Sequence, residues 1–207
     1  CTLEQRFQQS NDCKKKVHTD PQPLKKQRSS GSAVSQSRSV SADRWPQFRG
    51  QFRDGRVDWL PDQLPDPERD LIWSFVLPSS GHGGLMVARD VVLVSGRDAS
   101  DTRDLFTAID LVSGEQRWIH QYEAVASLDY GNSPRATPAY SEGVVVTLGA
   151  TGIVSALDGS TGAPLWTLDL DARFGVRLPT WGFCGSPLIV DGAVLLQVAY
   201  DPSLVSL

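Results

Sequence analysis

Few side chains in this 207-residue sequence stand at spacings that could do chemistry. Gly81-His82-Gly83-Gly84 has the look of a loop that offers backbone N–H groups to an oxyanion. Such a loop serves a nucleophile held in a Gly-x-Ser-x-Gly elbow, and that motif does not occur. His18, His82 and His120 lie too far apart to share a metal-ligand spacing. Cys1, Cys13 and Cys184 form no Cys-x-x-Cys pair, so neither a zinc site nor a disulfide framework is indicated. Cys184 sits in an apolar stretch and reads as a small core residue. Asp98, Asp101 and Asp104 recur every third residue, whereas a calcium loop wants alternate acidic ligands and a glycine. They read as a solvated insertion. Phosphate-binding and dinucleotide fingerprints are lacking too. Tyr130, Asn132, Arg135, Trp181 and Phe183 carry stacking and hydrogen-bonding groups just ahead of Ser/Thr-Pro segments. They are the candidates for a binding surface, with packing inside the fold as the competing use.

The elements that would position these residues are short. Val91-Val92-Leu93-Val94, Val144–Leu148 and Ala193–Leu196 are apolar runs bounded by Gly, Asp, Ser and Pro, as strands are. No helical periodicity competes with them, so the class is all-β. The runs belong to a repeat. Ala108-Ile109-Asp110-Leu111-Val112-Ser113-Gly114-Glu115-Gln116-Arg117-Trp118 recurs 48 residues later as Ala156-Leu157-Asp158-Gly159-Ser160-Thr161-Gly162-Ala163-Pro164-Leu165-Trp166. Thr137-Pro138 through Gly143 recurs as Ser186-Pro187 through Gly192. Leu85–Val92 is a degenerate copy of that second element, and Leu71-Ile72-Trp73 ends a weaker copy of the first.

The repeat has a physical reading. Glu142-Gly143 and Asp191-Gly192 suit tight hairpin turns, because glycine accepts a positive φ. Asp110 and Asp158 begin turns in which a carboxylate accepts backbone N–H bonds, and Gly114 and Gly162 take the strained place. Trp118 and Trp166 then supply a large flat face for packing between neighbouring sheets. Four short strands per 48 residues suit a propeller blade, which must stack on neighbours to bury both of its faces.

Ala-x-Asp-x-x-(Ser/Thr)-Gly-x-x-x-Trp resembles the tryptophan-docking motif of the pyrroloquinoline-quinone (PQQ) repeat propellers. Trp45-Pro46-Gln47-Phe48-Arg49-Gly50 with Arg53-Asp54-Gly55 is similar to the opening of many bacterial members of unassigned function. Tyr130–Pro138 and Trp181–Pro187 look like the same subgroup. The resemblance implies a partial β-propeller of four-stranded antiparallel blades, about 3 to 3.5 of them. In that family the motif is structural and binds no quinone, so Asp110, Gly114, Trp118, Asp158, Gly162 and Trp166 are expected to be docking residues. Quinoprotein members use adjacent cysteines and Glu/Asn/Asp calcium ligands, and no segment here matches them. The resemblance therefore implies a non-enzymatic scaffold for protein partners in the periplasm or cell envelope, with no catalytic, cofactor or metal residue. The alternative is the N-terminal part of a PQQ-dependent oxidoreductase whose site lies mostly in further blades.

Charge divides the chain in two. Residues 1–44 carry 9 basic and 4 acidic side chains, and the remainder 11 and 20, summing to the net −4. An acidic body does not suit nucleic acid, whose binding needs a basic surface. Residues 1–42, rich in Ser, Gln and Lys, read as a disordered tail, with the propeller over 43–207. No run of 18 apolar residues suggests a transmembrane helix, and no apolar signal region is visible. Cys1 fits either the lipidated cysteine of a mature lipoprotein or an arbitrary start. Blade arithmetic reads the chain as a piece of a longer protein, or as a product that completes a ring with other chains.

Overall fold

A computed structural model describes residues 45–57, 60–79, 81–198 and 201–207. The expected disordered tail, the lysines, His18, Cys1 and Cys13 lie outside the described residues.

The described residues form three antiparallel sheets in chain order. Strands β1 (Met86–Ala88), β2 (Val91–Arg97), β3 (Arg103–Asp110) and β4 (Gln116–Glu123) make the first, in the order β1-β2-β3-β4. Strands β5 (Ala139–Ser141), β6 (Val144–Leu148), β7 (Ile153–Asp158) and β8 (Pro164–Asp169) repeat it as β5-β6-β7-β8. Strands β9 (Leu188–Val190), β10 (Ala193–Gln197) and β11 (Leu204–Ser206) form a three-stranded sheet. Neighbouring strands in chain order pair through short loops, which gives each sheet the meander of a propeller blade. Two full blades and a three-stranded one are therefore present. The segment around Trp73 belongs to no sheet.

The repeat reaches into the register. Both full sheets carry a bulge just before the motif aspartate, at Ala108/Ile109 and at Ala156/Leu157. A bulge adds local twist and re-aims the chain, and here it turns the end of each third strand into the Asp turn. The inner hairpins use Glu142-Gly143 and Asp191-Gly192, with φ of 48° and 90° and of 50° and 79°. Two successive left-handed residues are the signature of the tight turns whose twist matches the strands.

Apolar side chains meet between sheets. Met86, Leu93, Phe106 and Trp118 of the first sheet pack with Val145 and Leu157 of the second. Val146, Leu148 and Val154 of the second pack with Val194, Leu196 and Val205 of the third. Burial on both faces explains why β6 and β7 read as near-continuous apolar runs.

One element departs from the all-strand expectation. Helix α1 (Leu170–Phe174) follows β8 directly, capped by Asp169, whose side chain accepts from the N–H groups of Asp171 and Ala172, and by Gly175 at φ 65°. Five residues are too few to show a helical period, so only its caps mark it in the sequence. No helix among the described residues is long and apolar enough to cross a membrane.

Candidate functional site

The motif residues assemble as docking joints. Asp110 Oδ1 accepts the N–H groups of Val112 and Ser113 at 2.9 and 2.7 Å, and Gly114 N–H donates to Asp110 O at 2.9 Å. Asp158 repeats this with Ser160 and Thr161 at 3.0 and 2.9 Å, and Gly162 N–H donates to Asp158 O at 2.8 Å. These bonds favour the charged carboxylates. The Ser113 N–H and then Arg117 hold Asp110 well below the usual carboxylate range. Ser160 and then Thr161 lower Asp158 to about 2.

Each turn receives the tryptophan of the preceding unit. Trp73 Nε1–H donates to Leu111 O at 3.1 Å, and Trp118 Nε1–H donates to Gly159 O at 3.3 Å. The rings lie flush on the glycines. A Cβ on Gly114 would stand 2.5 Å from the Trp73 ring, and one on Gly162 2.5 Å from the Trp118 ring. Positive φ values of 74° and 72° add a second reason for glycine at these places. Trp118 is accordingly only 8% exposed. Trp166 does not meet the expected burial: it is 38% exposed and lines a cleft of about 1010 Å³ with Leu165, Val194 and Leu207. No described turn seats its ring.

A third such turn, not evident from the repeat pattern, lies at Asp66. Glu68 N–H donates to Asp66 Oδ1 at 2.9 Å, and Asp70 N–H donates to Asp66 O at 2.7 Å. Both bonds recur at Asp110 and Asp158, but the N–H three residues on, from Arg69, donates to Asp66 O at 3.2 Å rather than to its side chain. Asp70 stands where the others have glycine, and Trp73 follows Asp66 by seven residues rather than eight. The Asp66 spacing was the signal available.

The loops entering the three sheets lie side by side. His82 Nδ1 and Ser133 Oγ are 2.8 Å apart, which joins the loop before β1 to the loop before β5. Thr137 N–H donates to Ser186 Oγ at 2.9 Å, which joins the latter to the loop before β9. The glycines beside His82 serve close packing: a Cβ on Gly83 would stand 2.4 Å from Ser95 Oγ, and one on Gly84 2.3 Å from Thr137 Oγ1. Glycine is needed at both places because the neighbouring side chains leave no room for a Cβ.

The five surface candidates divide on this face. Tyr130 and Trp181 are exposed, at 82% and 60%. Tyr130 is held at φ 64°. Arg135 turns inward on its own loop, donating to the carbonyls of Asp129, Gly131 and Ser133. Asn132 accepts from Leu128 N–H at 3.0 Å and donates to Asp101 at 2.6 Å. Phe183 is a correction to the surface reading. It is 3% exposed, packs in the core, and lies against Gly152, where a Cβ would stand 2.7 Å from its ring. Cys184 is corrected in the opposite sense: its thiol is exposed and donates to the carbonyl oxygens of Trp181 and Gly182.

The aspartate series also changes meaning. Asp104 lies on β3 and is fully buried, paired with the buried Arg97 at 2.7 Å. Arg97 also donates to Asp101 Oδ1 and Ala124 O, at 2.8 and 2.9 Å. Burial pushes the Asp104 carboxyl up, against the pull of the guanidinium. The extra residues of this hairpin are thus two long strands, β2 and β3, clamped at their end by Arg97. No group of three or more His, Cys, Asp or Glu among the described residues could hold a metal ion.

The family model described as outer membrane protein assembly factor BamB matches residues 66–207. No curated protein matches the chain. Solved structures similar to it include BamB from Moraxella catarrhalis, at 26% identity and a TM-score of 0.47, over 60% of this chain and 36% of that one. A europium-containing methanol dehydrogenase is 25% identical, with a TM-score of 0.42, over 61% of this chain and 22% of that one. A quinohemoprotein alcohol dehydrogenase from Comamonas testosteroni is 18% identical, with a TM-score of 0.40, over 57% and 17%. The chain spans about a third of the BamB structure's length and less of the two dehydrogenases. With its 48-residue unit realised as stacked sheets and a family match over more than half its length, the chain belongs to the PQQ-like repeat propellers of the BamB type.

Proposed function

We propose that this chain is part of a non-enzymatic propeller scaffold that presents the face of the sheet-entry loops to protein partners in the cell envelope. The observation that carries this reading is how its polar side chains are spent. Asp110 and Asp158 cap turns, Arg97 clamps a hairpin, and Arg135 and Asn132 brace a loop. Large exposed aromatic surface remains on that face at Tyr130 and Trp181. Tyr and Trp side chains are enriched among the anchors of protein–protein contacts. Membership of the BamB-type family supports both the interaction role and the envelope location.

Photo-crosslinking in cells tests it. A crosslinking amino acid replacing Tyr130 or Trp181 is expected to trap a protein adduct, and one replacing Thr161, on a docking turn, is not. Purified protein that binds PQQ with calcium and reduces a dye at the expense of an alcohol would overturn the scaffold reading in favour of a quinoprotein.

A further inference from the structure

Strands β1, β5 and β9 are each the first strand of a sheet, pair on one side only, and approach one another in succession. Such edges leave N–H and C=O groups open to any extended chain. Residues 45–55 answer those groups at three sheets in turn. Trp45 N–H donates to Val87 O at 3.0 Å and Trp45 O accepts from Val87 N–H at 2.9 Å, an antiparallel bridge to β1. Pro46 O accepts from Tyr140 N–H on β5 at 2.8 Å. Arg53 Nη1–H donates to Pro187 O, immediately before β9, at 3.0 Å.

The segment is also folded on itself. Gly50 N–H donates to Gln47 O, Arg53 N–H to Gly50 O and Gly55 N–H to Arg49 O, at 3.0, 3.2 and 2.9 Å. Gly50 takes φ 84° beneath the Trp45 ring, where a Cβ would stand 3.0 Å from it. Arg53 Nη1 reaches Gln47 Oε1 at 3.2 Å as well as Pro187. Pro46, with its fixed φ and no N–H to satisfy, is buried. Order within the segment lowers the entropy lost when it seats.

We propose that Trp45–Gly55 is a strap. It is a pre-shaped peptide ligand held in cis, and it fastens the inner edges of three successive sheets. The path along β1, β5 and the approach to β9 is then a peptide site. It takes an extended Trp-Pro lead by β-augmentation, and the arginine after the turn secures the third sheet. Neither the docking motifs nor the exposed aromatic loops form part of it.

Amide hydrogen exchange on the full chain tests this. The amides of Val87 and Tyr140 are expected to be protected, and Trp45→Ala is expected to speed both at least tenfold while Leu93 on β2 is unchanged. Arg53 sits at φ 56°, so Arg53→Gly keeps the turn and removes the guanidinium. It should loosen β9 and leave Val87 and Tyr140 protected, which keeps the test open should Trp45→Ala fail to fold. A synthetic peptide of residues 44–56 added to Trp45→Ala should restore protection at both amides. Val87 and Tyr140 exchanging as exposed loop amides in the unaltered chain would overturn the strap. So would protection that Trp45→Ala leaves unchanged, a β9 untouched by Arg53→Gly, or a peptide that restores nothing.

Discussion

At the scale of single residues, the docking glycines carry two constraints at once, and their cost should separate. Gly143 is left-handed but open, with nothing within 4 Å of a Cβ, so Gly143→Ala meets only backbone strain. That is about 1 kcal/mol. Gly162→Ala adds overlap with the Trp118 ring and should cost about 2–4 kcal/mol in urea unfolding. The aspartates of the same turns predict a pH dependence. Their folded values lie below the ordinary unfolded value of about 3.9. Their contribution is therefore fully present above that value and is lost as pH falls through about 2 for Asp158. Asp158→Asn should be less stable than the unaltered chain at pH 7 and should flatten the acid limb of the stability curve. An unchanged acid limb would show that Asp158 is unbound in its turn. The glycine and aspartate places were legible in the sequence because both copies keep the Asp-x-x-x-Gly spacing. Asp66 was not, because its copy has Asp70 for glycine and a shortened run to Trp73.

At the scale of elements, the β2–β3 hairpin depends on a buried charge pair. Removing one partner strands the other in low dielectric, so Arg97→Ala should cost about 3–5 kcal/mol. The double variant Arg97→Met/Asp104→Leu should recover most of that loss, measured by thermal unfolding with calorimetry. A double variant as unstable as the single one would mean that packing around the guanidinium, not charge, sets the cost. This clamp was hidden in the sequence. Arg97 and Asp104 are seven apart, and only the antiparallel pairing of β2 with β3, which sets them opposite each other, makes them partners. The burial of Phe183 and the exposure of Cys184 are hidden in the sequence for a related reason. They are adjacent residues of one loop, and which of them turns inward is decided by Ala150 and Gly152 in the turn between β6 and β7, where Phe183 N–H donates to Ala150 O at 2.8 Å.

At the scale of the whole molecule, successive repeat units are joined by a tryptophan of one unit seated on the Asp turn of the next. The two clear motif copies carry equal side chains but unequal surroundings. Trp118→Ala, which empties a filled joint, should cost about 3–5 kcal/mol, and Trp166→Ala on its open cleft clearly less. Fold class and blade pattern could be read in advance because period, hairpin turns and docking residues all point the same way. Which joints are filled could not, since that depends on what lies one unit further along. The most direct test is the proton chemical shift of the glycine α-hydrogens. A ring lying flush on a glycine displaces its shifts strongly to high field. Trp73→Ala should return Gly114 to ordinary values and leave Gly162 displaced, and Trp118→Ala should do the reverse. If neither glycine is displaced, or if each responds to the other's tryptophan, the joints are not built as described.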